Sequence, residues 1–197
     1  YRGETLSGDG EEGVKGHDAV VIGDKKKYDE LAGKGKKKDE QPVSAAYILD
    51  PTEEKTKALS DIAEKLGLPL QVMLDGMPAK YEQNKQKIGL PIIEKPSVEE
   101  WVHCMKNASF IVTDSYHGTC FSIIFEKNFL AFGNKVRGLA RFKTVFDIIG
   151  NEERLITDLA AKIDVSLLKK DIDYAAVREK LAPYIEFSKE WLHQAIY

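Results

Sequence analysis

The chain has 197 residues, with 32 acidic against 29 basic side chains, a net charge of −3, 43% hydrophobic and 9% aromatic residues. That length supports the core of one domain rather than two complete ones, and the balanced charge excludes a dedicated phosphate-backbone binder, so no nucleic-acid partner is expected. No apolar run is long enough to cross a bilayer and no charged-then-apolar leader opens the chain, so the sequence predicts a soluble, cytoplasmic protein without a transmembrane segment.

Residues 1–42 differ from the rest. Glycines recur (Gly3, Gly8, Gly10, Gly13, Gly16, Gly23, Gly33, Gly35), lysines cluster at 25–27 and 36–38, and large apolar side chains are few. Such a stretch buries too little surface to offset its ordering entropy, which predicts a flexible or truncated N-terminal segment. One β-branched island, Ala19-Val20-Val21-Ile22, reads as a short strand.

From residue 43 to 197 strands alternate with helices. Ala45 to Leu49 reads as a strand, then Thr52 caps a helix with Ala58, Leu59, Ile62, Ala63 and Leu66 on one face, closed by Gly67. Leu68 to Leu74 is a second strand. The polar stretch from Asp75 to Gly89 shows no clear period. Ser97 and Glu100 form a capping box for a helix presenting Val98, Trp101, Val102 and Met105. Phe110 to Thr113 is a strand, and Thr119 to Lys127 a helix apolar nearly all round, which predicts burial on more than one side. Phe129 to Phe132 is a further strand, and a helix follows with Leu139, Phe142, Val145, Phe146 and Ile149, stopped by Gly150. Asp173 caps a last helix, from Tyr174 to about Ala195, in which Pro183 predicts a bend or break. This alternation predicts an α/β fold with a parallel sheet flanked by helices and right-handed crossovers.

The segment Asp114-Ser115-Tyr116-His117-Gly118-Thr119 sits between a strand and a buried helix, where open parallel sheets collect ligands and helix N-termini attract anions. Ser115 and Thr119 supply hydroxyls there, Gly118 permits close approach to the backbone, and His117 supplies a hydrogen-bond donor or proton carrier. In the alternative reading, Asp114 and Ser115 cap the helix and His117 is a satisfied, half-buried histidine. After the next strand, Asn134-Lys135-Val136-Arg137-Gly138-Leu139-Ala140-Arg141 opens at the same sheet edge. Arg137 and Arg141 stand four apart, on one face of a helix start where the dipole disfavours cations, so a carboxylate or phosphate between them is expected. A solvated helix start is the other reading.

Gly8-Asp9-Gly10-Glu11-Glu12-Gly13 spells GxGxxG but has neither strand nor amphipathic helix around it, and its carboxylates repel a pyrophosphate. The lysine clusters lack interleaved aromatic residues and read as solvated linker. His103 reads as packing or surface, His17 and His193 have no partners in sequence, and no set of residues has zinc-ligand spacing, so no metal is expected. Cys104 and Cys120 are expected to be reduced.

The run from Asn107 to Lys127, with Thr113-Asp114-Ser115-Tyr116-His117-Gly118-Thr119 at its centre, resembles the polysaccharide pyruvyl transferase family. The likeness extends to Asn134, Arg137-Gly138, Arg141-Phe142, Glu153 to Ile156, Tyr47 to Thr52 and the terminal helix, about residues 43 to 197. It implies a Rossmann-like domain similar to the C-terminal half of a GT-B-like fold. It further implies an enzyme that moves a pyruvyl group from phosphoenolpyruvate to sugar hydroxyls of a cell-surface polysaccharide or its precursor, giving a ketal, as in exopolysaccharide and cell-envelope biosynthesis. Under that likeness His117 is the catalytic candidate. Ser115, Gly118, Thr119, Asn134, Arg137 and Arg141 are candidate substrate contacts, and Asp114 is structural. The implied partners are phosphoenolpyruvate and a glycan or lipid-linked sugar acceptor, without metal or nucleotide cofactor and with homo-oligomerisation left open. His17 to Asp24 is similar to a family segment whose usual Ser, Gln and Trp are replaced here by lysines, so donor binding without transfer is also an expectation for this chain. The competing readings are a nucleotide-sugar glycosyltransferase half-domain and a non-catalytic anion-binding remnant.

Overall fold

The computed structural model describes residues 23–35, 42–133, 138–161 and 163–196. Five short strands form one all-parallel sheet: β1 (Ser44–Ile48), β2 (Leu70–Leu74), β3 (Phe110–Thr113), β4 (Phe129–Phe132) and β5 (Leu155–Ile156), in the spatial order β2-β1-β3-β4-β5. The helices are α1 (Lys25–Lys34), α2 (Glu53–Leu66), α3 (Pro78–Ile88), α4 (Val98–Asn107), α5 (Tyr116–Ile124), α6 (Leu139–Ile149), α7 (Ser166–Lys169) and α8 (Tyr174–Ile196). The expected α/β architecture is therefore present, in a Rossmann-like doubly wound arrangement. Its strand order reverses between β1 and β3, the position at which such sheets open a crevice beyond their carboxyl ends.

Successive strand residues enter two separate cores, as the period of two demands. Ala45, Met73, Ile111, Phe129 and Ala131 face one core with Val102, Met105, Phe142 and Phe146. Ala46, Ile48, Val72, Leu74, Val112 and Leu130 face the other, with Leu59 and Ile62 of α2 and Tyr81 and Ile88 of α3. The caps follow the sequence: Thr52 accepts from Lys55 N, Gly67 closes α2 at φ 65°, and Ser97 with Glu100 completes the capping box of α4. The unassigned polar stretch contains α3, whose Tyr81, Asn84 and Ile88 are buried.

Several expectations are corrected. Helix α1 folds inside the segment expected to be flexible. Ala32 is buried and its carbonyl meets His103 Nδ1 at 2.9 Å, while Tyr28 packs edge-on against Phe121 at 5.0 Å. A few well-placed apolar groups on one face suffice because α4 and α5 supply the rest of the interface. The strand expected at 19–22, His17 and the 8–13 glycines lie outside the described residues. Val98, which shares the helical spacing of Trp101, Val102 and Met105, is exposed at the first turn of α4. Helix α8 runs through Pro183 unbroken. Two-residue β5 was not expected: it pairs with β4, and the buried Arg154 beside it donates to Phe129 O at 3.1 Å and to Lys170 O. A strand of two residues carries no periodicity to detect.

Candidate functional site

The β3–α5 turn is built by its own polar side chains. Thr113 Oγ1 donates to Tyr47 O at 2.7 Å and accepts from Ser115 N, which fastens the end of β3 to β1. Ser115 caps α5 by accepting from Gly118 N, and Thr119 Oγ1 donates back to Ser115 O. Both hydroxyls are buried and committed to the turn, so these residues shape it. Helix α5 starts at Tyr116, three residues earlier than expected, and stops at Ile124. His117 therefore stands in the first helical turn, exposed, rather than in the loop before it.

Gly118 has a packing role. A Cβ placed there would lie 2.3 Å from Thr113 Oγ1, which lets α5 approach the strand end only if residue 118 has no side chain. Gly118→Ala is expected to destabilise the fold by about 1–3 kcal/mol through this overlap, read as a lowered midpoint in urea unfolding.

Asp114 is fully buried and carries three charge-assisted contacts. Its carboxylate accepts from Leu49 N at 2.6 Å, from Asp50 N at 3.1 Å and from Lys55 Nζ at 2.6 Å. Lys55 Nζ also donates to Asp50 O at 2.7 Å, and Asn84 Nδ2 donates to Leu49 O at 3.1 Å. The loop after β1 and the turn after β3, the two walls of the sheet's crevice, are thereby tied to one carboxylate. Sequence reasoning missed Lys55. The signal was a lysine in the first turn of a helix, where the dipole disfavours it unless an anion compensates.

Tyr116 organises the outer face. Its ring meets the His117 imidazole edge-on, with centroids 6.0 Å apart at 71°, and the Arg141 guanidinium carbon lies 4.1 Å from the same ring's centroid. An imidazole from α5 and a guanidinium from the first turn of α6 thus share one aromatic neighbour. Asn134 and Arg137 lie outside the described residues. His117 also lines a cavity of about 500 Å³ at the carboxyl ends of β1 and β2, with Tyr47, Tyr81, Lys95, Trp101 and Phe121 but neither Tyr116 nor Arg141. Trp101 packs edge-on against both Tyr47 (5.1 Å) and Phe121 (4.9 Å). A second cavity of about 530 Å³ lies beside β5 and is lined by none of the candidate residues.

A family model described as polysaccharide pyruvyl transferase matches residues 10–136. The chain belongs to the polysaccharide pyruvyl transferase family. No curated protein matches it. The match corrects the expected extent of the likeness: it lies in the N-terminal part of the chain and includes the segment at 17–24. Arg141, Glu153 to Ile156 and α8 lie beyond it. The packing of α1 on α4 agrees with this, since it joins the N-terminal segment to the same fold. Membership places the chain in a transferase family concerned with polysaccharide pyruvylation. Among the described residues no helix is long and apolar enough to cross a membrane.

Proposed function

We propose that the chain binds phosphoenolpyruvate where His117 and Arg141 meet on the Tyr116 ring, and serves transfer of its pyruvyl group to hydroxyls of a glycan or lipid-linked sugar. The observation that carries this reading is the shared ring: it holds a group able to move a proton beside a planar cation suited to carboxylate or phosphate. Asn134 and Arg137, which precede α6 in sequence, are proposed as further anion contacts, with Ser115, Gly118 and Thr119 fixing the turn's shape.

The chemistry needs both kinds of group. A proton adds to C3 of the enol, making C2 electrophilic, and a sugar hydroxyl adds at C2 with loss of its proton. A second hydroxyl then displaces phosphate from C2, so the ketal closes and the second proton leaves with the phosphate. In this reading His117 protonates the enol or holds the departing phosphate, and Arg141 holds the anion throughout. No step in this sequence is an oxidation or reduction.

Titration calorimetry against phosphoenolpyruvate and, separately, a nucleoside diphosphate tests the assignment. Saturable heat with phosphoenolpyruvate and none with the nucleotide is expected. Saturable heat with the nucleotide alone would move the chain to nucleotide-sugar chemistry, and heat with neither would refute a donor site.

A further inference from the structure

The described residues include two non-glycine positions at positive φ, Lys95 at 42° and Glu126 at 56°. Glu126 follows the last turn of α5, an ordinary place for left-handed backbone. Lys95 ends no helix, and it precedes Pro96, whose ring drives the residue before it toward extended backbone. Its conformation is disfavoured twice and must be held by its surroundings. The hold is visible: Lys95 N donates to Tyr81 Oη at 3.1 Å, and that hydroxyl donates to Glu94 Oε2 at 3.4 Å, with Lys85 paired to the same carboxyl group. Tyr81 itself is buried. The kink lays the Lys95 side chain over the Tyr81 ring, Nζ 5.3 Å from its centroid, on the wall of the cavity that His117 also lines. Backbone strain of this kind concentrates where a side chain must be aimed.

We infer that Lys95 is a specificity-determining residue that reads a negative charge on the acceptor sugar. The inference rests on the donor reading above, which puts phosphoenolpyruvate on the Arg141 side of His117 and leaves the cavity for the acceptor. Tyr47, Trp101 and Phe121 give that cavity flat apolar surfaces suited to the C–H face of a sugar ring, as small-molecule sites are mostly apolar with a few placed polar groups. Among the described residues the ammonium pairs with Glu82 at 3.8 Å, both side chains about two-thirds exposed, and Glu94, itself paired to Lys85, acts on it from farther off. A pair that open is weak and yields to a better-placed anion. The ligand class is therefore a sugar bearing a carboxylate or a phosphate.

The test is binding of glucose, glucuronate and glucose 1-phosphate, followed by tryptophan fluorescence and calorimetry at low salt. Glucuronate, glucose 1-phosphate or both are expected to bind about fivefold more tightly than glucose, an advantage that added salt erodes. Which of the two gains it identifies the anion as carboxylate or phosphate. Lys95→Gln, with circular dichroism and melting as the wild type's, is expected to lose the advantage, and Lys95→Arg to keep it. Equal affinity for all three sugars, or an advantage that survives in Lys95→Gln, would overturn the inference. Phosphoenolpyruvate titration of the wild type reports on the donor reading separately. If Lys95→Gln weakens phosphoenolpyruvate rather than the charged sugar, Lys95 belongs to the donor and the inference falls.

Discussion

Asp114→Ala is expected to destabilise the fold by about 3–5 kcal/mol, the loss that follows when one partner of a buried ion pair is removed. The substitution strands the Lys55 ammonium, whose side chain is 9% exposed, and leaves Leu49 N and Asp50 N without their acceptor. Asp50 O still accepts from Lys55, but a carbonyl dipole does not replace a full negative charge. Removing both charges should be milder than removing one. Lys55→Met combined with Asp114→Leu is expected to recover part of the loss, because no unpaired ion remains. Urea unfolding followed by far-ultraviolet circular dichroism measures both. A single-variant loss below about 1 kcal/mol would mean that the carboxylate is not the tie between the β1 and β3 loops.

Arg141→Ala is expected to weaken phosphoenolpyruvate by about tenfold to 150-fold, the range for losing a charge-assisted contact of 1.5–3 kcal/mol. The guanidinium is exposed and stacked over Tyr116, so its removal leaves the core intact, and stability should move by no more than about 1 kcal/mol. Arg141→Lys should restore only part of the affinity, since an ammonium keeps the charge but not the planar fork. Calorimetry on the three proteins reads this directly, and equal affinities would remove Arg141 from the donor site.

The elements that the sequence specified most strongly are those whose signals are local. Phe110–Thr113 and Phe129–Phe132 are continuous apolar runs bounded by polar residues, and both fold as strands at those limits. Thr52, Gly67, Ser97 and Glu100 act through contacts three or four residues away, and each does what its spacing implies. Features set by distant partners were not legible. Helix α3 has a weak apolar stripe because only Tyr81, Asn84 and Ile88 meet the core, and Asn84 is there for the Leu49 carbonyl. Helix α1 depends on a surface supplied by residues some seventy positions later, His103 among them.

The site divides in the same way. Asp114, Ser115, His117 and Gly118 stand out because a polar cluster between a strand and an apolar helix is uncommon in sequence. Their division of labour appears only in three dimensions: Asp114, Ser115, Gly118 and Thr119 are turned inward to build the turn, while His117 faces out. Lys55 and Lys95 were missed because each is one lysine among many. What sets them apart is a buried carboxylate 59 residues away in one case and an unfavourable backbone angle in the other.

One ligand is expected to touch His117 and Arg141 together, and side-chain NMR of the His117 imidazole during phosphoenolpyruvate titration reads that double contact. A saturable shift of the His117 signals is expected in the wild type, with His103 and His193 unmoved, and no such shift at the same ligand concentration in Arg141→Ala. Saturable binding that leaves His117 unshifted, or a His117 shift of full size in Arg141→Ala, would contradict it.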